Sequence, residues 1–265
     1  MPELPEVEAG RKLAAGAGAG HRVVRVETVD DDIVYDGTTP EAVQRCLRGR
    51  TILDTHRHGK HIWFELDRRP WPCFHFGMTG AFVVYRDQTD RPRCWKIEIT
   101  YAHGVRLAMT NSRRLGRVRL RNDPRAEAPI STLGFDPYLE MPSPTVFVET
   151  LRSRKAIVKG LLLDQSFAAG VGNWIADEVL FQAGIDPRRP ANTLSVQEAK
   201  TLRAKLASVL KKAVAVDADA GRFPRSWMFH RRWGKRDGQK TARGEAIEHI
   251  TVAGRTTAWV PSRQR

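Results

Sequence analysis

The hydrophobic pattern changes near residue 133, and this change limits the possible folds more than any other feature of the chain. Before it, short segments rich in β-branched and aromatic residues are separated by glycine turns, at residues 23–29, 52–66, 81–85 and 95–110. After it, the segments are typical of helices. Strands followed by helices predict an α+β protein whose first half is a β-sandwich or barrel.

Helices are predicted in both halves of the chain. The first half has one at residues 7–15, which we expect to end in the glycine-rich run at 14–20, and one at 40–47 with Val43 and Leu47 facing inward. Prolines multiply at residues 133–144, where we place a linker. The second half has helices at 144–152, 156–163, 173–183 and 195–216, and Ser195 with Glu198 has the spacing of a capping box.

The charge of the chain indicates a polyanionic partner. Its 265 residues carry a formal net charge of +14. So many like charges would repel one another in a compact chain unless the usual partner is a polyanion, and nucleic acid is the leading candidate. No stretch approaches the roughly 18 apolar residues of a membrane-spanning helix, and the start lacks the features of a signal peptide. We therefore expect an intracellular protein with no membrane partner. Cys46, Cys73 and Cys94 form no CxxC pair and are expected to be reduced structural thiols.

The first residues have the composition of a nucleophilic site. Removal of Met1 would give Pro2 a free secondary amine, and an α-amino group near pKa 8 is partly neutral at physiological pH. Such an amine can attack an aldehyde-level carbon such as the C1′ of a sugar. Glu3 and Glu6 lie close enough in sequence to supply a proton and hold the geometry. The alternative is a simple helix start, with Pro5 in its first turn and acidic residues complementing the macrodipole.

A basic turn precedes one of the strongest strands. Lys60 follows Gly59 directly before this strand, where a lysine can hold a phosphate, although a solvated turn lysine is an equal alternative. The nearby His56, His58 and His61 lack the companion ligands of a metal site, so we interpret them as basic surface histidines.

Two loops carry residues suited to entering a base stack. Met78 lies between glycines at the end of a strand, and a long apolar side chain at a loop tip can wedge between bases, although such a methionine is more often part of a core. The loop at residues 111–116 presents Arg113, Arg114 and Leu115 together.

Two further turns could contact phosphates. Residues 169–173 place two glycines before a helix that begins at Asn173, so that backbone NH groups point outward as in an anion site. Residues 246–260 fit a β-hairpin with Arg255 at or beside its tip, from which an arginine can reach a DNA backbone. A merely solvated basic hairpin is the alternative.

These motifs together resemble the formamidopyrimidine-DNA glycosylase/endonuclease VIII family. The resemblance spans nearly the whole chain through the PELPEVE start, the HGKH turn, the HFGMTG and SRRLG loops, the segment at residues 170–187 and the terminal hairpin. It implies an N-terminal β-sandwich with flanking helices, a helix-two-turn-helix domain, a β-hairpin finger and a DNA-binding cleft. The expected bounds are residues 1–134 for the catalytic domain, 135–143 for the linker, 144–221 for the helical domain and 222–265 for the finger.

The resemblance also implies a role for each candidate residue. Pro2 matches the nucleophile, Glu3 the general acid/base and Glu6 the acid that supports the amine. The implied phosphate ligands are Lys60, Asn173 and Arg255, and the implied void-filling residues are Met78, Arg113 and Leu115. A family member with these residues would be a bifunctional glycosylase and AP lyase acting on duplex DNA with an oxidised base or an abasic site.

The chain departs from the family pattern in its tail. The usual finger binds zinc through two CxxC pairs, but no cysteine of this chain lies beyond Cys94, so the resemblance is to a zincless finger with no metal and no cofactor. Hairpin pairing and aromatic packing are then expected to replace the metal. Leu115 stands where an aromatic residue is usual, and residues 217–233 lack the usual lesion-capping loop.

The substrate therefore stays open at this stage. Met78 with Arg113 favours oxidised purines, whereas a zincless finger is similar to those of proteins that accept oxidised pyrimidines and hydantoins. A non-catalytic damage binder and a basic RNA-binding protein are rival classes, but neither explains the proline-led acidic start. We expect a monomer, in the bacterial cytoplasm or in a eukaryotic nucleus.

Overall fold

The computed structural model describes residues 1–234 and 238–265. The chain separates into two compact units, residues 1–132 and 133–265. The first unit is described throughout and contains two helices and eight strands, in the order α1 (Leu4–Gly18), β1 (Val23–Thr28), α2 (Pro40–Leu47), β2 (Ile52–His58), β3 (His61–Leu66), β4 (Trp71–His75), β5 (Ala81–Tyr85), β6 (Trp95–Tyr101), β7 (Arg106–Thr110) and β8 (Arg117–Arg121).

The strands of the first unit form two antiparallel sheets of four strands each. One has the order β1-β6-β7-β5 and the other the order β2-β3-β4-β8. Both sheets contribute apolar side chains to one shared core, which includes Phe64 and Phe74 of the second sheet and Ile99 and Leu107 of the first. The predicted β-sandwich is thus confirmed. In α2, Val43 and Leu47 are fully buried, as predicted.

The end of α1 differs from the prediction. The helix continues through the glycine-rich run to Gly18, whereas the low helix propensity of glycine led us to end it near residue 15. The reason lies in packing. A Cβ on Gly18 would lie 2.4 Å from the Tyr101 ring, and a Cβ on Gly10 would lie 2.8 Å from Phe76. These glycines let the helix approach the sheets closely, and this tertiary contact outweighs propensity.

The second unit is built on helices. Its described elements are α3 (Pro144–Arg152), α4 (Val158–Leu163), α5 (Asn173–Ala183), α6 (Val196–Ala215) and the antiparallel hairpin of β9 (Glu248–Val252) and β10 (Arg255–Trp259). The capping box predicted for α6 is present, since Glu198 N–H donates to Ser195 Oγ at 3.2 Å and Ser195 N–H to Glu198 Oε2 at 2.7 Å. No helix among the described residues is long and apolar enough to cross a membrane.

Candidate functional site

The first turn of α1 gathers the three residues predicted for catalysis. Pro2 is half-buried and Glu3, at the N-cap of the helix, is only 3% exposed. Glu3 N–H donates to Glu6 Oε2 at 3.0 Å, which turns the Glu6 carboxylate back toward the chain start. The positive end of the helix dipole favours carboxylates here. Two acidic residues therefore lie within four positions of Pro2 in the sequence, one buried at the N-cap and one bonded to the N-cap backbone.

A buried ion pair links this helix to the basic turn. Arg57 Nε donates to Glu8 Oε2 at 2.9 Å, and Arg57 Nη1 donates to the carbonyl of Gly59 at 2.9 Å. The Arg57 side chain is fully buried. Gly59 has a positive φ of 56° and directly precedes Lys60, so Arg57 fixes the turn that presents the predicted phosphate ligand. The sequence did not predict this pair, although an arginine within an apolar strand was a possible signal.

Of the three histidines near Lys60, His58 and His61 are not the basic surface residues that we predicted, whereas His56 is 36% exposed and lies 2.7 Å from the Glu65 carboxylate. His58 is buried, and the ring of His61 lies 4.8 Å between centroids from that of His75 of β4, tilted by 34°. Burial, together with nearby positive charges including Lys60 and Arg119, lowers the pKa of His75 to about 4 and that of His61 well below its usual value. His61 and His75 are therefore neutral at physiological pH. Among the described residues, no group of three or more His, Cys, Asp or Glu side chains could hold a metal ion.

The three predicted void-filling residues lie on two loops that one asparagine joins. Met78 is 39% exposed and Leu115 41%, and Arg113 is exposed as well. Asn111, which is fully buried, donates from Nδ2 to the Phe76 carbonyl at 2.9 Å and accepts from Gly116 N–H at 3.1 Å. This bridge holds the loop of Met78 beside the loop of Arg113 and Leu115.

The two neighbouring arginines of this loop have different environments. Arg114 has a positive φ of 54° and pairs with Asp31 at 3.0 Å. Burial alone would raise the pKa of Asp31, but hydrogen bonds from Lys96 and Arg114 outweigh it and lower that pKa. Arg113 makes no ion pair within the described parts of the chain. Of the two, Arg113 is thus the one available to a ligand.

In the second unit, Asn173 and the hairpin meet. Asn173 is the first residue of α5, and its Nδ2 donates to the Thr256 carbonyl at 2.9 Å. Arg255 is exposed and begins β10, directly after the turn at Ala253 and Gly254, whose φ values are 49° and 70°. The side chain of Asn173 is therefore bonded to the residue that follows Arg255.

The segment before the hairpin is packed by aromatic side chains. Trp174 of α5 lies 5.7 Å from Phe223 and 5.1 Å from Phe229 between ring centroids, and Phe229 lies 5.4 Å from Trp233. Glu178 accepts from Phe229 N–H at 2.8 Å, and its burial raises its pKa to about 7. Aromatic packing of the tail, predicted from the sequence, is present up to Trp233.

Known proteins match both units. Residues 1–118 match the formamidopyrimidine-DNA glycosylase N-terminal domain, and residues 133–224 match the formamidopyrimidine-DNA glycosylase H2TH domain. A formamidopyrimidine-DNA glycosylase of Arabidopsis thaliana is 41% identical over all of this chain and 71% of its own length. One of Bacillus subtilis is 31% identical over 97% of this chain and 96% of its own.

Solved structures match over the whole chain. A structure of MutM in complex with DNA containing carbocyclic 8-oxo-G has a TM-score of 0.87 and 27% identity, covering 100% of both chains. The Lactococcus lactis formamidopyrimidine-DNA glycosylase bound to DNA with an AP site has a TM-score of 0.85 and 27% identity, covering 99% of both. With these matches, an α+β protein with a proline-led acidic helix start is of the DNA-glycosylase class. The chain belongs to the formamidopyrimidine-DNA glycosylase family.

Proposed function

We propose that this protein is a bifunctional DNA glycosylase and AP lyase of base excision repair, which removes oxidised bases from duplex DNA and then cuts the strand. The observation that carries the proposal is the start of α1, where Pro2 precedes a buried N-cap Glu3 whose N–H donates to the Glu6 carboxylate. Family membership supports it, and so does the net charge of +14, which suits a polyanionic substrate.

The chemistry begins with the amine of Pro2. Its nitrogen bonds to C1′ of a flipped-out nucleotide while the bond from C1′ to the damaged base breaks, and the base leaves with the bonding electrons and takes up a proton. Glu3 protonates the ring oxygen as the sugar opens and an iminium forms. The iminium acidifies the 2′ proton, whose loss expels the 3′ phosphate, and a second elimination expels the 5′ phosphate. The strand is cut and the amine is regenerated after hydrolysis.

The remaining predicted residues bind the DNA. Lys60, Asn173 and Arg255 are assigned to phosphates around the lesion, where each contact adds affinity without reading sequence. Met78, Arg113 and Leu115 are assigned to the space left by the flipped nucleotide and to the orphaned base. Asn111 supports this assignment, because it holds their two loops side by side.

The parts of the chain divide these tasks. We assign catalysis to residues 1–134, a linker to 135–143, DNA binding to 144–221 and a zincless finger to 222–265, in a protein that acts as a monomer. Oxidised purines, including formamidopyrimidines and 8-oxoguanine, are the first candidates as substrates. A structure of the Lactococcus lactis relative contains FAPY-dG DNA, and MutM was solved with an 8-oxo-G analogue. Hydantoins and oxidised pyrimidines are the second group.

A borohydride trapping assay tests the function and ranks these lesions together. Protein whose loss of Met1 has been verified by mass spectrometry is incubated with duplexes carrying 8-oxoguanine, a formamidopyrimidine, a hydantoin, an oxidised pyrimidine or an abasic site. Borohydride reduces the iminium to a stable covalent complex. We expect trapping on the abasic duplex and on a subset of the base lesions, with strand cleavage in the absence of borohydride.

Two controls make the result decisive. Glu3→Gln should bind the abasic duplex with nearly unchanged affinity but cleave it at least a hundredfold more slowly, since general acid–base catalysis contributes about 10²–10⁴-fold. An undamaged duplex should give no complex. If correctly processed protein binds the abasic duplex but traps on no substrate, the enzyme assignment fails and a non-catalytic damage binder takes its place.

A further inference from the structure

A buried cluster of charges lies beneath the hairpin that carries Arg255. Lys159 of α4 and Asp177 of α5 have fully buried side chains, with Lys159 Nζ 2.6 Å from Asp177 Oδ1. Arg232, which is 7% exposed, donates to the other carboxylate oxygen at 2.5 Å. Burying charges costs free energy unless partners satisfy them, so this cluster is an expensive feature that the apolar core alone does not require.

The cluster bonds to three consecutive residues of β10. Lys159 Nζ donates to Thr257 Oγ1 at 2.6 Å and lies 3.4 Å from the Thr256 carbonyl. Ala258 N–H donates to Asp177 Oδ2 at 3.1 Å. These bonds join α4 and α5 to a strand far away in the chain. They hold β10 against both helices.

The bonds continue to the two predicted phosphate ligands of this unit. Thr257 Oγ1 donates to the carbonyl of Arg255 at 3.2 Å. The Thr256 carbonyl accepts from Asn173 Nδ2 at 2.9 Å, in addition to its contact with Lys159. One ammonium group therefore connects to Arg255 through a hydroxyl and to Asn173 through a shared carbonyl.

The turn of the hairpin rests on the same helix. A Cβ on Gly160, the residue after Lys159, would lie 3.1 Å from the Cβ of Ala253 in the turn. The small residue lets the turn approach α4. The hairpin is thus held at two points: its turn contacts α4, and its strand β10 bonds to the buried cluster.

We propose that Lys159, paired with Asp177, is a positioning residue that sets Arg255 and Asn173 for DNA phosphates and anchors the hairpin in place of a metal cross-link. The proposal rests on the proposed function, because it takes Arg255 as a phosphate ligand. Lys159 itself does not touch DNA in this account. It acts through the Thr257 hydroxyl, which is 1% exposed and bridges the ammonium group to the Arg255 carbonyl.

The bridge offers a test that keeps the buried pair intact. Thr257→Val preserves the shape and strand preference of the side chain but removes the hydroxyl, and Thr257→Ser restores it. Lys159→Met would instead leave Asp177 without one of its partners and could prevent folding. The probe is an abasic duplex, and the measurement is its dissociation constant at a series of salt concentrations for wild type, Thr257→Val, Thr257→Ser, Arg255→Ala and the Arg255→Ala/Thr257→Val double variant.

The salt dependence distinguishes positioning from general loss of structure. Each phosphate contact contributes about 0.9 to the slope of log K against log salt, so Arg255→Ala should lower the slope by about one. We expect Thr257→Val to lower the slope toward the same value and to weaken binding at least threefold at moderate salt, with Thr257→Ser close to wild type. In the double variant Thr257→Val should add less than a twofold loss, because it acts through Arg255.

Three results would overturn the proposal. These are an unchanged slope in a folded Thr257→Val protein, losses that multiply in the double variant, and an unchanged slope in Arg255→Ala. The first two leave the proposed function unchanged, and the third removes only its assignment of Arg255 to a phosphate. The borohydride trap of the wild-type protein reports the enzyme activity separately. A wild type that fails to trap while the slopes behave as expected would reject the enzyme and leave the positioning role in place.

Discussion

Arg57 Nε lies 2.9 Å from Glu8 Oε2, and this pair ties the helix that begins at the predicted nucleophile to the turn that presents Lys60. The guanidinium is fully buried, whereas the second partner of Glu8, Arg11, is half-buried. The buried Arg57 guanidinium therefore connects the start of α1 to the turn that carries Lys60.

Removing the acid of this pair should destabilise the protein. Glu8→Gln removes the carboxylate from the buried pair with Arg57, and breaking a buried ion pair from one side costs about 3–5 kcal/mol. We expect the free energy of unfolding, measured by urea denaturation, to fall by about 3 kcal/mol. Asp32→Asn is the matched control, because Asp32 is 92% exposed in its pair with Arg114, and it should cost less than about 1 kcal/mol. Equal losses in the two variants would contradict this account of Arg57.

Asn111 should matter more to recognition than its distance from catalysis suggests. Asn111→Ala leaves the buried Gly116 N–H without its acceptor, at a cost of about 1–3 kcal/mol, and removes one of the two bonds to the Phe76 carbonyl, which keeps its bond from Gly80 N–H. The loops of Met78 and Leu115 then lose the side chain that joins them. We expect Asn111→Ala to lose more activity, relative to wild type, on a base lesion in duplex DNA than on an abasic site in single-stranded DNA. Single-turnover cleavage measures both losses. Ser112→Ala removes only an exposed bond to Thr79 and should behave as wild type. A uniform loss on both substrates would argue against the loop role.

Glu178 should make stability depend on pH. Burial raises its pKa to about 7 from the usual 4.5, so the folded protein keeps a proton that the unfolded chain has already lost in this range. The folded state binds more protons, and stability must therefore fall as the pH rises through this interval. We expect wild type to lose about 3 kcal/mol relative to Glu178→Gln between pH 4.5 and pH 7, measured by urea denaturation. Parallel curves for the two proteins would show that folding does not raise the pKa of Glu178.

Two glycines of α1 should respond oppositely to the same substitution. Gly18→Ala places a Cβ 2.4 Å from Tyr101, and overpacking of this kind costs about 1–3 kcal/mol. Gly16 has no atom within 4 Å of the Cβ position, so Gly16→Ala should stabilise the helix by up to about 1 kcal/mol. Thermal unfolding of the two variants measures the difference. If Gly18→Ala is as stable as wild type, the close contact with Tyr101 is not what keeps the run helical.

Local patterns predicted much of the fold. Hydrophobic alternation located the strands, and capping residues located helices, because both depend on near neighbours; Ser195 with Glu198 is the clearest case. The end of α1 was wrong because packing against Tyr101 outweighed propensity. The prediction for His58 and His61 was wrong because neighbouring strands bury these rings, which a local pattern does not reveal.

In the candidate site too, residues that are close in sequence were predicted and residues joined only by the fold were not. Pro2, Glu3 and Glu6 are near neighbours in the sequence, so their spacing suggested a candidate site, and the family resemblance implied their roles. The residues that hold the site could not be predicted in this way. Arg57 lies 49 residues from Glu8, Asn111 lies 35 residues from Phe76, and Lys159 lies 98 residues from Thr257. Their signal in the sequence is only a charged or amide residue within an apolar segment, and its partner is defined by the folded chain.

The most direct test of the central claim is to locate the covalent bond to DNA. The borohydride-reduced complex with an abasic duplex is digested with protease and nuclease, and the peptide that carries the sugar remnant is sequenced by mass spectrometry. The account predicts that the remnant is attached to the nitrogen of Pro2, at the N terminus of a peptide that lacks Met1. Attachment to a lysine such as Lys60, with an unmodified Pro2, would contradict it.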